Sequence, residues 1–155
     1  LATTGTANTA FMLAFRARAA GVPMAGLSVT VVSSEMPKLG AATRGMALVQ
    51  VFPDANSQKS VLVRKFQSTM KNTDAAPAYL SSASALEGWI HAQVMIEGLK
   101  NAGKGLTRKR LRTGLGSVRS LSLGDFSVGF GNKAPYVGTD SIYLAIYAEK
   151  GRRLS

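Results

Sequence analysis

The apolar residues of the first fifty positions fall into two patterns. In "NTAFMLAFRARAAG" they read as a helix with Thr6 or Asn8 as N-cap, Arg16 and Arg18 in the last turn to offset the dipole, and Gly21 just past the end. "MAGLSVTVV" and "GMALVQVF", the latter from Gly45 to Phe52, read instead as strands, with "SSEMPKLGAAT" between them as a loop or short helix. Both strands are apolar on both parities. That pattern belongs to strands covered on both faces, as in a parallel α/β sheet.

After Pro53 and the polar "DANSQKS" the pattern becomes helical for a long stretch. "SQKSVLVRKFQSTMKN" places Val61, Leu62, Phe66 and Met70 on one face, "SASALEGWIHAQVMIEGLKNAG" is a long helix, and "LTRKRLRTGLGSV" is a third with Thr107 as N-cap. The tail returns to strands in "LSLGDFSVGF" and "DSIYLAIYAEKGR", separated by a loop rich in Gly, Asn and Pro. No internal repeat or low-complexity tract interrupts this order.

Composition narrows the function classes. The chain has 155 residues, 46% of them apolar and 17% charged, which suits a globular domain. It has no cysteine, so a disulfide scaffold, a thiolate zinc site and a cysteine nucleophile are excluded. No apolar run approaches the roughly 20 residues that span a bilayer, and "LATTGTANTA" lacks the basic and apolar regions of a signal peptide; the chain is read as soluble. Its net charge is +11, and six cations lie between Lys104 and Arg119. That segment has no base-stacking aromatics, while Leu106, Leu111, Leu115 and Val118 sit near helical spacing beneath the charges, so a solvated helix face is expected and nucleic acid is not.

Catalytic and metal-binding patterns are weak. Glu87 and His91 stand four apart on the long helix, but there is no second histidine and no acidic cluster nearby, so no metal site is expected. Asp125 and Asp140 sit in turn-forming sequence, no serine lies in a Gly-x-Ser-x-Gly elbow, and "GLGSVR" is too short for a dinucleotide loop. No enzyme activity and no cofactor are expected.

The order of elements resembles one family, the type I periplasmic solute-binding proteins of ABC transporters, in their branched-chain amino acid group. The resemblance is carried by a Gly-Thr turn into a helix ending "RAAG", then "GLS", "LGAATRGMALVQVFP", "VRKFQSTMK", "ALEGWIHAQVMIEGLKNAGKGLTRKRLRTGL" and "LGDFSVGF". It is most specific from Ala85 to Leu115. The implied fold class is α/β, with three-layer, Rossmann-like parallel-sheet lobes, and only the C-terminal part of the two-lobed fold is present. By that resemblance residues 1–53 form the later part of the second lobe, residues 54–139 the closing part of the first, and residues 140–155 the third crossover and the return to the second lobe. More than half of a full-length relative would be absent upstream, so the chain is read as a truncated fragment.

The same resemblance implies capture of a small ligand, an amino acid or related carboxylate or amide, by closure of a cleft between lobes. Partners would be that ligand and the membrane subunits of an ABC transporter, and the location would be periplasmic. In "TTGTAN", where a strand hands over to a helix, backbone N–H groups and hydroxyls of Thr4, Gly5 and Thr6 suit a carboxylate. A plainly capped helix start is the alternative reading of that turn. Ser28 would reach the cleft from the second turn, and Tyr79 would wall it or lie in the core. Members that bind aliphatic amino acids place an acid in that second turn to pair with the ligand's ammonium; here the nearest carboxylate is Glu35. In the resembled fold the long helix packs on a sheet, with Ala85, Gly88 and Ala92 allowing close approach and Trp89 and Ile90 supplying buried area.

Two further expectations follow. A truncated form would expose sheet edges and apolar faces, inviting a homodimer or strand exchange. The competing functional classes are a basic nucleic-acid-binding module and a ligand-sensing regulatory module of the same fold.

Overall fold

The computed structural model describes residues 5–30, 35–74, 76–131, 134–148 and 153–154. The chain divides into two compact units, Leu1–Val51 with Ile142–Ser155, and Phe52–Ser141.

The first unit holds helix α1 (Gly5–Arg18), strand β1 (Ala25–Leu27), a short helix α2 (Met36–Leu39), and strands β2 (Ala47–Gln50), β5 (Tyr143–Tyr147) and β6 (Arg153–Leu154). The sheet order is β1-β2-β5-β6. β1 runs parallel to β2, with Gly26 opposite Leu48, whereas β5 runs antiparallel to β2, with Leu48 opposite Ala145 and Gln50 opposite Tyr143. One parity faces a core of Met12, Met24, Leu39, Met46, Leu48, Ala145 and Tyr147, packed against Phe15. Cover on both faces was the expectation from parity. Within this unit the other parity, which includes Leu27, Leu144 and Ile146, is exposed.

β1 is shorter than its apolar run predicts because a 3₁₀ turn, Ser28–Thr30, replaces its second half. The Thr30 hydroxyl donates to the Leu27 carbonyl at 2.7 Å, satisfying locally a group that a longer strand would offer to a neighbour. At the other end of the unit Arg16 does more than offset a helix dipole. Its guanidinium donates to the carbonyls of Ala20, Val22, Ala42 and Arg44, joining the end of α1 to the turn before β2.

The second unit holds α3 (Val61–Lys71), α4 (Ala83–Ala102), α5 (Arg108–Gly116) and a two-stranded ribbon of β3 (Leu121–Ser122) and β4 (Ser127–Val128). The helix starts are capped as their sequences suggest. Ser60, Ser82 and Thr107 each accept a hydrogen bond from the backbone N–H three residues on. α3 buries Leu62, Val63 and Phe66. Its start is also held by a distant carboxylate: Asp125 accepts from the Leu62 N–H at 2.8 Å and the Ser60 hydroxyl at 3.1 Å. Burial pushes the Asp125 carboxyl up, but those hydrogen bonds, together with others from the backbone N–H groups of Asp125 and Val61, outweigh it and hold the group below its ordinary range.

The close approach expected at Ala85, Gly88 and Ala92 lies elsewhere. Gly88 and Ala92 are exposed, and a methyl added at Gly88 would meet nothing. α4 instead approaches α5 through Gly98 and Gly114. A methyl on Gly114 would collide with the Gly98 carbonyl oxygen and lie 2.8 Å from the Ala102 nitrogen, whereas one on Gly98 would strike the end of the Leu115 side chain. Trp89 meets Phe66 edge to face, with centroids 6.2 Å apart, and Ile90 is buried.

Gly114→Ala is therefore expected to cost about 2–3 kcal/mol in urea unfolding, because backbone must move. Gly98→Ala is expected to cost less, since a side-chain end gives way more easily. Equal losses would contradict this account of the α4–α5 contact.

Candidate functional site

The first unit gathers the start of α1 and the segment after β1 into one polar neighbourhood. Gly5 opens α1 with φ +62°, a conformation that favours glycine, and the first-turn N–H groups of a helix have no acceptor within it. The helix begins earlier than the sequence suggests, so Thr6 and Asn8 lie inside it and are not its caps. Thr6 is exposed.

Asn8 is buried, and its side-chain amide donates to the Thr30 carbonyl at 2.7 Å. This bond fixes the first turn of α1 against Ser28–Thr30, where Ser28 is half-buried. At the next position the Thr9 hydroxyl donates to the Glu35 carboxylate at 3.1 Å. Glu35 also holds Lys38 in an ion pair of 2.8 Å. The Lys38 hydrogen bond is the largest influence on the carboxyl; with the Thr9 bond it outweighs partial burial and holds Glu35 below the usual carboxylate range.

Of the sequence-predicted site residues, Gly5, Thr6 and Ser28 therefore belong to elements joined by the Asn8–Thr30 hydrogen bond. Thr4 lies outside the described residues. Tyr79 sits in the second unit, exposed on a 3₁₀ turn from Pro77 to Ser81, so it is not a core tyrosine. Sequence reasoning missed the joining roles of Asn8, Thr9 and Glu35. The available signal was a pair of adjacent polar residues at the start of an otherwise apolar helix, together with the Glu35–Lys38 spacing of three.

The remaining chemistry is sparse. Among the described residues no group of three or more His, Asp or Glu could hold a metal ion, and His91 is exposed. On α5 the side chains of Arg108, Lys109, Arg110 and Arg112 are exposed, Leu111 and Leu115 are half-buried, and Leu106 stands in solvent. Val118 is buried beyond the helix end. Among the described residues no helix is long and apolar enough to cross a membrane.

No family model matches the sequence, and no curated protein matches it. Solved structures do match. An extracellular ligand-binding receptor from Verminephrobacter eiseniae aligns with 95% of this chain at 25% identity and a TM-score of 0.74, and 41% of its own length is covered. A branched-chain amino acid ABC transporter protein from Thermus thermophilus, with bound valine, aligns with 98% of this chain and 42% of its own at 14% identity and a TM-score of 0.79. An ABC transporter solute-binding protein from R. palustris, in complex with benzoate, aligns with 97% of this chain and 39% of its own at 18% identity and a TM-score of 0.71.

The Glu35 interactions carry a pH signature. A carboxyl held below its ordinary value contributes stability that is present at neutral pH and is lost as pH falls through its folded-state value. Wild type is therefore expected to melt above Glu35→Gln at pH 7, with the gap closing as the solution is acidified below the ordinary carboxylate range. A gap independent of pH would contradict the assigned contacts. Taken with its sheet order and helix placement, these alignments show that the chain carries the type I periplasmic binding protein fold, over about two fifths of the length of the structures it matches.

Proposed function

We propose that this chain forms part of an extracytoplasmic solute-binding component of an ABC transporter, and that it contributes a carboxylate-binding turn at the start of α1. The observation that carries this reading is the Asn8–Thr30 hydrogen bond, which sets Gly5 and Thr6 beside the Ser28 turn in a fold shared with solute-binding proteins. First-turn amides and hydroxyls at a helix start stabilise an anion without needing a cation. In this reading Thr4, Gly5 and Thr6 bind the carboxylate and Ser28 adds a hydroxyl. Residues 1–53 and 140–155 belong to one lobe, residues 54–139 to the other, and Tyr79 contributes from the latter.

The state of Glu35 bears on the ligand. It is the first carboxylate in the chain, and it is already engaged by Lys38 and Thr9. A buried ammonium left without an anionic partner is costly. An aromatic or other small carboxylate that lacks an ammonium, or an amide, therefore suits this turn better than an aliphatic amino acid. One matched protein holds benzoate and another holds valine, so the fold accommodates both chemistries.

Capture would proceed by closure of the two lobes about the chain crossings next to Gln50 and Tyr143, which are paired in the sheet. The liganded form would then be read by transporter membrane subunits. No step of this mechanism calls for catalysis or a cofactor, and the setting is the periplasm. A ligand-sensing role for the same site would use the same contacts.

The test is a thermal-shift series with benzoate, benzamide and valine on the 155-residue chain. Benzoate is expected to raise the melting temperature more than valine. Thr6→Val combined with Ser28→Ala should weaken benzoate binding about tenfold, the worth of one to two hydrogen bonds. Absence of any shift with all three ligands, in this chain and in one extended upstream to the length of the matched structures, would contradict the proposal. A shift with valine alone would contradict the part assigned to Glu35.

A further inference from the structure

The second unit carries a run of positive charge that nothing in it balances. From Gly98 to Gly124 every charged residue is a Lys or Arg. Lys104, Arg108, Lys109 and Arg112 are exposed, and among the described residues their side chains have no ion-pair or hydrogen-bond partner. Arg108, Lys109 and Arg112 fall within an arc of about 100° on α5, away from Gly114, which meets α4. Arg110 turns back instead: its guanidinium donates to the Lys104 and Gly105 carbonyls and holds the loop before α5 against the helix. Leu106, on that loop, is 55% exposed. Beside the helix a hollow of about 360 Å³ is lined by Asn101, Thr107, Lys109, Arg110 and Thr113, a set rich in hydrogen-bond donors. A face of unpaired cations is not one that further chain of the same lobe would cover, since desolvating such charges without anionic partners is costly.

We infer that this face docks on an anionic phospholipid surface, with Lys104, Arg108, Lys109 and Arg112 over the headgroup phosphates and Leu106 entering the acyl boundary. Three features select that partner. Charge complementarity calls for a polyanion, and a cluster of cations on one helical face is what an anionic leaflet recruits. No aromatic residue lies between Gly98 and Asp125, so a nucleic acid would find phosphate contacts here but no platform for its bases. An apolar tip among cations gains from a bilayer, where its side chain leaves water, and gains nothing from a phosphodiester backbone. The donors around the hollow suit the oxygens of a headgroup phosphate.

The inference uses the second unit alone, so it stands or falls apart from the carboxylate turn. It is tested by co-sedimentation with vesicles of phosphatidylcholine and phosphatidylglycerol in equal parts, and with vesicles of phosphatidylcholine alone. Both the 155-residue chain and one extended upstream to the length of the matched structures are expected to bind the mixed vesicles only, and less as salt rises from about 0.05 to 0.5 M. Arg108→Gln, Lys109→Gln and Arg112→Gln together should lower the partition coefficient about a hundredfold, or about fivefold for each cation. Lys59→Gln, Lys65→Gln and Lys71→Gln, which remove the same charge from exposed positions elsewhere in the unit, should leave it nearly unchanged. Leu106→Asn should lower it about tenfold without altering its salt dependence. Should a variant lose its far-ultraviolet circular dichroism spectrum, amide exchange on the wild type decides the matter: residues 104–108 should gain protection on the mixed vesicles. Equal binding to phosphatidylcholine, equal losses from the two sets of substitutions, binding confined to the shorter chain, or exchange unaltered by vesicles would each overturn the inference. So would tighter binding to single-stranded oligodeoxythymidine that Leu106→Asn leaves intact, which would assign the face to nucleic acid.

Discussion

Everything in the first unit depends on β5 returning to pair with β2. β2 is a four-residue strand with only the three residues of β1 on its other side, and an isolated two-stranded pairing of that length is marginal in water. β5 adds four antiparallel register pairs and supplies Ala145 and Tyr147 to the core beneath α1. The chain leaves the sheet after Gln50 and re-enters at Tyr143, which is its direct pair. The second unit is thus spliced into the first at one point of the sheet. A folded insertion whose ends already lie close together reduces the entropy that closing so long a loop would cost.

Packing alone would leave the loops of this fold undetermined, and a small number of long-range polar contacts settle them. Asn8 ties α1 to Thr30, Thr9 ties it to Glu35, and Arg16 ties its end to Ala42 and Arg44. In the second unit Asp125 performs the equivalent task by capping α3 from a turn far along the chain. Each joins a helix terminus to a segment with little apolar surface of its own. Where the polar group is buried, as Asn8, Thr9 and Ser60 are, it is costly to leave unpaired, so it specifies one arrangement. The proposed carboxylate site is a by-product of that economy: the groups that fix the start of α1 also bring Gly5, Thr6 and Ser28 into one neighbourhood.

Local chemistry made much of the fold legible. The helices α3, α4 and α5, the Thr107 cap and the positions of β2 and β5 follow from spacing and capping residues that act within a few positions. What sequence reasoning misplaced depends on partners distant in the chain. Asn8 has the residue type of a cap, and only its contact with Thr30, 22 positions away, shows that it is buried inside the helix. Ala85, Gly88 and Ala92 share the small-residue character of Gly98, and only Leu115 and Gly114 across the contact decide which surface is close-packed. Glu35 enters the sequence reading only as the carboxylate nearest the second turn, and its contacts with Lys38 and with Thr9, 26 positions away, emerge in the structure. The apolar parity of β1 and β2 signalled two covered faces; within the first unit one is covered by α1, and the other, which includes Leu27, Leu144 and Ile146, is exposed.

The most direct measurement of the central claim is a benzoate titration of isotopically labelled chain followed by two-dimensional amide NMR. The account predicts that the largest shifts fall on Gly5, Thr6, Asn8, Ser28 and Thr30, with smaller ones at Glu35. Shifts confined to Arg108–Gly116, or spread evenly over exposed cations without saturation, would contradict it and assign anion binding to the basic helix.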